Sequence, residues 1–216
     1  KNIKKIIFSS SREVYGNSNK IIHNENDAYV KHCESNYTAT KIAGEALIHS
    51  YFQCYGINFI ILRFSNVYGK YDFSDRVIPL FILKALTNQN MTIFGRDKLL
   101  DFTYVDDTIN GIVKAILLFE ESKNDIYNIA TGKGYSIEDV ANLIQKSTNS
   151  KSKIYFKNNR LGEVCKYIAD ISKASTILDY NVNYSITDGI NKAISWYKPK
   201  INEYIKYLNE TNVNIE

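Results

Sequence analysis

Tyr37 and Lys41 stand four residues apart in Asn36-Tyr37-Thr38-Ala39-Thr40-Lys41. On a helix that spacing puts both side chains on one face, about 6 Å apart along the axis. The pairing has a chemical use. A phenol with the ordinary pKa of about 10 is a poor base at neutral pH. An ammonium one turn away favours the phenolate, and lowering a phenol's pKa by about 3 takes roughly 4 kcal/mol of differential interaction. A phenolate so placed takes the proton from an alcohol while the carbinol carbon gives up hydride. Tyr-x-x-x-Lys alone is common by chance, so its surroundings decide its weight. Upstream lies Ser9-Ser10-Ser11-Arg12-Glu13-Val14-Tyr15-Gly16, where a serine hydroxyl can bridge a substrate alcohol and Tyr37. A serine triplet standing alone would serve only to satisfy turn backbone. Downstream, Arg63-Phe64-Ser65-Asn66-Val67-Tyr68-Gly69 again follows an apolar run with polar groups.

The elements that must position these groups are legible. Lys4–Ser9 reads as a short buried strand. Asn36–Tyr55 has helical spacing, with Ile42, Ala43, Ala46, Leu47 and Phe52 on one side and Gly56 placed as a left-handed cap. Ile57–Phe64 is the next strand. Strand, long helix, strand is a βαβ unit, hence a parallel sheet with helices on its faces. Ligands bind at the carboxyl ends of such strands, where both polar runs fall. A second helix, capped by Ser74 or Asp75, runs to about Thr87. Thr92–Phe94 is extended, and a helix from Asp106-Asp107 runs to Phe119. Asp125–Ala130 is extended, and Ser136 with Asp139 forms a capping box for a helix to about Lys146. After Lys151, short strands (Lys153–Phe156, Tyr167–Ala169) alternate with helices near Ile171–Leu178 and Thr187–Tyr197. Strict βαβ order ends near residue 70.

With 216 residues the chain can bury a full core as one domain or two small ones. A 44% hydrophobic and 23% charged composition excludes a wholly disordered chain. A net charge of +4, evenly spread, is too small to mark a nucleic-acid binder. The apolar runs are far shorter than the roughly 18 residues of a membrane span. Cys33, Cys54 and Cys165 form no CxxC pair, which fits a reducing, cytoplasmic setting. His23, His32 and His49 lack zinc-ligand spacing and are expected at the surface, with no metal site. Asp106-Asp107 is expected to cap its helix rather than serve as an acid/base or metal pair.

In order, Ser-Ser-Ser-x-Glu-Val-Tyr-Gly, Tyr-x-x-x-Lys, Arg-Phe-Ser-Asn-Val-Tyr-Gly and Phe-Thr-Tyr-Val-Asp-Asp107 resemble the extended short-chain dehydrogenase/reductase superfamily. Within it, the pattern is similar to the NAD-dependent sugar-nucleotide epimerases and dehydratases, in particular the UDP-glucose 4-epimerase type. The match runs from about residue 4 to 198. The resemblance implies an α/β fold: the C-terminal part of a Rossmann-type parallel sheet with helices on its faces, plus a smaller mixed α/β substrate-binding domain. Residues 1–70 would be the C-terminal half of the NAD-binding domain, with 106–130 returning to it, and 71–216 the substrate domain. It implies NAD as cofactor, a UDP- or dTDP-hexose as substrate and, as is common in the family, a homodimer. Tyr37 would be the base at the sugar C4 hydroxyl, Lys41 would tune it and bind the nicotinamide ribose, and Ser11 would hold the substrate oxygen. Ser9 and Ser10 would be further cofactor contacts, and Glu13 would match an acid/base glutamate. Asn66 would contact the phosphates, Arg76 and Val77 would form a substrate-binding turn, and Thr92 and Phe94 would line the nucleobase pocket. Arg160 would reach the pyrophosphate, which suits a planar guanidinium fork, and Glu163 would sit at the ribose.

Departures from the family pattern qualify what it implies. Its opening Gly-x-x-Gly-x-x-Gly turn, whose amides hold the cofactor pyrophosphate at a helix N-terminus, precedes nothing here; Gly132-Lys133-Gly134 lacks the third glycine and reads as a turn. The only methionine is Met91, so a fragment of a longer enzyme is expected, the alternative being a truncated, non-catalytic nucleotide-sugar-binding protein. Leu100 replaces a pyrophosphate-binding arginine, a role open to Arg96 or Lys98. Cys33 replaces a frequent proline. Arg12 replaces the acid that protonates the leaving hydroxyl in dehydratases. That favours epimerisation through transient C4 oxidation over 4,6-dehydration or UDP-glucuronate decarboxylation.

Overall fold

The computed structural model describes residues 3–159 and 164–211. In chain order its strands and α-helices are β1 (Lys5–Ser11), β2 (Ile22–His23), α1 (Asn36–Tyr55), β3 (Asn58–Phe64), β4 (Asn66–Tyr68), α2 (Val77–Leu86), β5 (Met91–Phe94), β6 (Leu99–Tyr104), α3 (Val105–Leu117), α4 (Phe119–Ser122), β7 (Asp125–Ile129), β8 (Gly134–Ser136), α5 (Ile137–Thr148), β9 (Ile154–Lys157), β10 (Lys166–Ala169), α6 (Ser172–Ile177), α7 (Ile186–Tyr197) and α8 (Ile201–Glu210). The chain divides into two compact units. The first takes residues up to 67 together with 100–134 and the described part of 162–183; the second takes 68–99, the described part of 135–161, and 184 onward.

The first unit is built on a parallel sheet ordered β1-β3-β7. Lys5 pairs with Asn58 through to Ser11 with Phe64, and Ile60 with Asp125 through to Phe64 with Ile129. β3 is central and reads as an almost continuous apolar run because both its faces are covered. Phe59 meets His49 and Phe52 of α1 edge-on. Ile60 and Leu62 join Ala115, Phe119, Tyr127, Ile129, Ala174, Leu178 and Tyr180 in the core on the opposite face. A second sheet in this unit runs β2-β10-β6-β4.

α1 starts where Ser35 accepts from the Thr38 amide and ends at Gly56 in the left-handed region (φ 65°), as its spacing predicts. Its docking face differs from the expected one. Ala43, Ala46 and Leu47 are exposed, and Thr38, Ile42, Glu45 and Phe52 turn toward the sheet. Gly44 lies so close to β1 that an added Cβ would fall 2.4 Å from Phe8 Cζ. The direction of docking is thus set by a close approach and by polar partners, which an apolar count along α1 does not reveal. His23 is a second difference. It is fully buried, stacked 5.0 Å from Tyr15 and 5.7 Å from Tyr167, and so is a core residue rather than a surface one.

In the second unit β5 and β9 pair in parallel, and α2 packs against α5, α7 and α8. Ser136 and Asp139 make the expected capping box of α5, and Ser185 caps α7. α2 begins later than expected. Arg76 is its N-cap, and Ser74 instead accepts the Arg76 amide within the preceding turn. The expected capping by Asp106-Asp107 is also replaced. α3 has no side-chain cap, and Asp107 accepts from Asn183 at 2.9 Å. No helix among the described residues is long and apolar enough to cross a membrane.

Candidate active site

The right-handed βαβ crossover lays α1 against β1 in the opposite direction. Lys41 Nζ donates to the Ser9 carbonyl at 2.9 Å and stands 5.5 Å from the Tyr37 ring centroid and 5.6 Å from that of Phe8. Tyr37 lies one helical turn, about 6 Å, nearer the N-terminus of α1, on the side of the helix that carries the Lys41 ammonium. Tyr37 is 51% exposed, and its hydroxyl bonds to no group among the described residues. One N–H of Lys41 is used, which leaves two donors for a ligand.

The three serines face different ways. Ser9 is exposed and offers its carbonyl to Lys41. Ser10 is buried, and its hydroxyl donates to Glu45 at 2.5 Å. Ser11 accepts the Glu13 amide at 3.2 Å and so caps a single 3-10 turn over Arg12–Tyr15, keeping its O–H free to donate. Within that turn Arg12 pairs with Glu13 at 2.8 Å, and Arg12 Nε donates to Asn66 Oδ1 at 3.0 Å. Asn66 in turn donates to the Asp101 carbonyl at 2.8 Å. Ser9, Ser10, Ser11, Glu13, Tyr37, Lys41 and Asn66 all lie in the first unit.

Arg76, Val77, Thr92 and Phe94 lie in the second unit. Arg76 is exposed and Val77 half-buried at the start of α2. Thr92 and Phe94 share one face of β5, with Lys157 Nζ 5.9 Å from the Phe94 ring. Next to Phe94, a cavity of about 370 Å³ is bounded by Gly95, Arg96 and residues 156–159. The Arg96 guanidinium lies 3.8 Å over the Phe156 ring. Gly95 has φ 81°, a left-handed conformation that favours glycine, and Asn159 Oδ1 packs where a Cβ would stand. Leu100 is buried on β6 and brings no charge. Arg160 and Glu163 lie outside the described residues. Among the described residues no cluster of His, Cys, Asp or Glu is arranged to hold a metal.

Sequence reasoning missed a buried polar network behind the site. Glu45 receives Arg63 Nε at 2.9 Å and Nη2 at 2.7 Å, while Arg63 Nη1 donates to Tyr15 Oη and to the Glu25 carbonyl. Tyr15 donates to Asn128 at 2.6 Å. Burial is the largest single influence and works against the Arg63 charge, but the bonds and charges of Glu45 and Tyr15 together outweigh it and hold the guanidinium pKa above its ordinary value. Burial pushes the Tyr15 phenol up to about 12, so it stays a donor at neutral pH. Two signals were present: a lone arginine within the otherwise apolar run Phe59–Phe64, and a glutamate that continues the four-residue stripe of Tyr37 and Lys41. Asp101 is a third missed residue. Fully buried, it accepts from the Thr131 hydroxyl at 2.6 Å and the Gly132 amide at 2.8 Å. Burial raises its carboxyl pKa against these bonds.

The chain is similar to known proteins in sequence and in fold. Residues 1–130 match the NAD dependent epimerase/dehydratase family. A UDP-glucuronate 4-epimerase of Thermodesulfobacterium geofontis is 30% identical over 95% of this chain and 62% of its own length. The structure of UDP-glucose 4-epimerase from Thermotoga maritima with UDP-glucose superposes with a TM-score of 0.85 at 28% identity, covering 92% of this chain and 64% of the other. That of UDP-glucuronic acid 4-epimerase from Bacillus cereus with UDP-glucuronic acid and NAD gives 0.84 at 32% identity, covering 90% and 62%. The chain spans about three-fifths of the length of these and other curated relatives it matches. A tyrosine and a lysine on one helical stripe, facing the carboxyl end of a parallel strand, thus sit within a matching family model and a matching α/β fold: the chain belongs to the NAD-dependent epimerase/dehydratase family.

Proposed function

We propose that this chain forms the catalytic edge and the substrate-binding part of a nucleotide-sugar 4-epimerase that works by transient oxidation at sugar C4. The observation that carries the reading is the Tyr37–Lys41 stripe anchored to Ser9 at the carboxyl end of β1. The donor set fits the nicotinamide side of NAD: Lys41 keeps two N–H groups for a ribose diol, and exposed Ser9 borders it. The 216 residues contain no three-glycine turn for the pyrophosphate, so that contact is assigned to none of them. When bound, NAD supplies the acceptor for the C4 hydride. The chain's own residues handle the proton and the orientation. Tyr37 takes the C4 hydroxyl proton and later returns it, Lys41 holds its ammonium beside the Tyr37 ring, and Ser11 donates to the same substrate oxygen.

Epimerisation is favoured over 4,6-dehydration because the residue beside Glu13 is Arg12, whose guanidinium pairs with that glutamate instead of supplying an acid to the leaving hydroxyl. In the second unit, Thr92 and Phe94 are assigned to the nucleobase, and Arg76 and Arg96 to the diphosphate. Arg160 and Glu163 remain assigned by resemblance, and a homodimer remains the expected assembly.

The test uses the product of the whole gene, incubated with NAD and with UDP-glucose, UDP-glucuronate or dTDP-glucose, with products resolved by chromatography. Expected is 4-epimerisation of a UDP-sugar. In Tyr37→Phe, kcat should fall about 10²- to 10⁴-fold, the usual span for a lost general base. A 4-keto-6-deoxy product, or wild-type turnover by Tyr37→Phe, overturns the reading.

A further inference from the structure

Glu45 is the third member of the stripe that Tyr37 and Lys41 begin, one turn further along the same face of α1. Its carboxylate is held on three sides: two N–H groups of the Arg63 fork from β3 and the hydroxyl of Ser10 from β1. The remaining arm of Arg63 is tied to Tyr15 and the Glu25 backbone, and Tyr15 to Asn128 on β7. We propose that Ser10, Glu45 and Arg63 form a clamp that fixes the rotation and height of α1 over the sheet, and so positions Tyr37 and Lys41 for the reaction proposed above, on which reading the inference rests.

Three observations favour positioning over simple stabilisation. First, a buried ion pair seldom stabilises a fold more than a well-packed apolar pair of similar volume. Second, the apolar contacts of α1 are poor guides to register. Ile42, Ile48 and Phe52 are only half-buried, Leu47 is 60% exposed, and apolar burial has no preferred direction. A bidentate fork does have one. Third, the clamp holds the strand that carries the site. Ser9 binds Lys41 through its carbonyl while the next residue, Ser10, binds Glu45 through its side chain, so two successive residues of β1 hold two successive turns of α1. The Ser10 hydroxyl therefore points to the clamp. Ser10, Glu45 and Arg63 touch no reacting atom and are positioning residues.

The clamp predicts a split between turnover and binding. A misplacement of about 1 Å at a reacting group costs up to about 10²-fold in rate, whereas the nucleobase of the UDP-sugar is assigned to Thr92 and Phe94 of the second unit. In the whole gene product, Glu45→Gln should lower kcat about 10- to 100-fold with KM for the UDP-sugar unchanged within about threefold. Ser10→Ala keeps the ion pair and guards against a folding failure; it should lower kcat by a smaller factor, again without moving KM. Hydrogen exchange provides a readout independent of turnover. Amides of residues 38–45 should exchange at least about tenfold faster in either variant, while those of Phe59–Leu62 hold their rate. A lowered melting temperature with kcat per folded molecule unchanged would make the pair merely structural and overturn the proposal, as would unaltered exchange in α1. If the wild-type protein turns over no nucleotide sugar, the functional reading fails instead, and the exchange rates still decide whether the clamp exists.

Discussion

Three consecutive serines at the end of β1 serve three purposes: a carbonyl for Lys41, a hydroxyl for Glu45 and a cap for the next turn. Side-chain alternation along a strand explains the division, because Ser9 and Ser11 point away from the face that Ser10 uses. At this scale the stripe of α1 was readable, since i and i+4 share a helix face whatever the rest of the chain does. The role of Arg96 was only partly readable. Leu100 removes one cation, and Arg96 stacks on Phe156 at the edge of a cavity beside Phe94. A charge-assisted hydrogen bond to a phosphate oxygen contributes about 1.5–3 kcal/mol. Arg96→Ala should therefore raise KM for the UDP-sugar about 10- to 100-fold and leave kcat within about threefold, as steady-state kinetics will measure.

At the scale of the element, α1 is a 20-residue helix whose ends are set locally and whose docking is not. Gly56 is assigned from its residue type, whereas the Ser35 cap is a finding of the structure, although both use only groups within one turn. Ser35→Ala should cost about 1 kcal/mol in urea unfolding, the usual value for a lost N-cap. Gly44→Ala should cost more, about 1–3 kcal/mol, because the new methyl meets the Phe8 ring and must displace it. A Gly44→Ala variant as stable as the wild type would mean that α1 does not ride this close to β1. The buried face of α1 was misread for a physical reason: its contacts are a glycine, a threonine and a glutamate, and apolar spacing sees none of them.

For the whole molecule, burial of His23 ties stability to pH. Burial lowers the His23 pKa below its ordinary 6.5, with Asp27 opposing more weakly. Below about pH 6.5 the unfolded chain therefore takes up a proton that the native chain refuses, so this contribution to stability is complete above that pH and declines as pH falls. The slope from one such group is at most about 1.4 kcal/mol per pH unit. Asp101 acts in the opposite sense. Burial raises its carboxyl, so the native state gains relative stability as pH falls through its native value. Urea unfolding between pH 7.5 and 5.5 should show stability falling with pH, and His23→Phe, which keeps a ring in the Tyr15–Tyr167 stack, should flatten that fall. An unchanged slope would exclude His23 as its source.

The amino-acid sequence by itself determined the βαβ order, the parallel sheet it demands, the Gly56 cap of α1, the capping box of α5, and the Tyr37–Lys41 stripe. Each follows from interactions within a few residues or from the period of one element. Tertiary structure alone decided which face of α1 is buried, that Glu45 closes on Arg63 and Ser10, that His23 enters the core, and that the described part of 162–183 joins the first unit. Most of those contacts join residues far apart in the chain: Arg63 and Glu45 are 18 positions apart, and Ser10 and Glu45 are 35. Local periodicity carries no record of such pairings; they are selected by which buried donors and acceptors can all be satisfied once the sheet has formed.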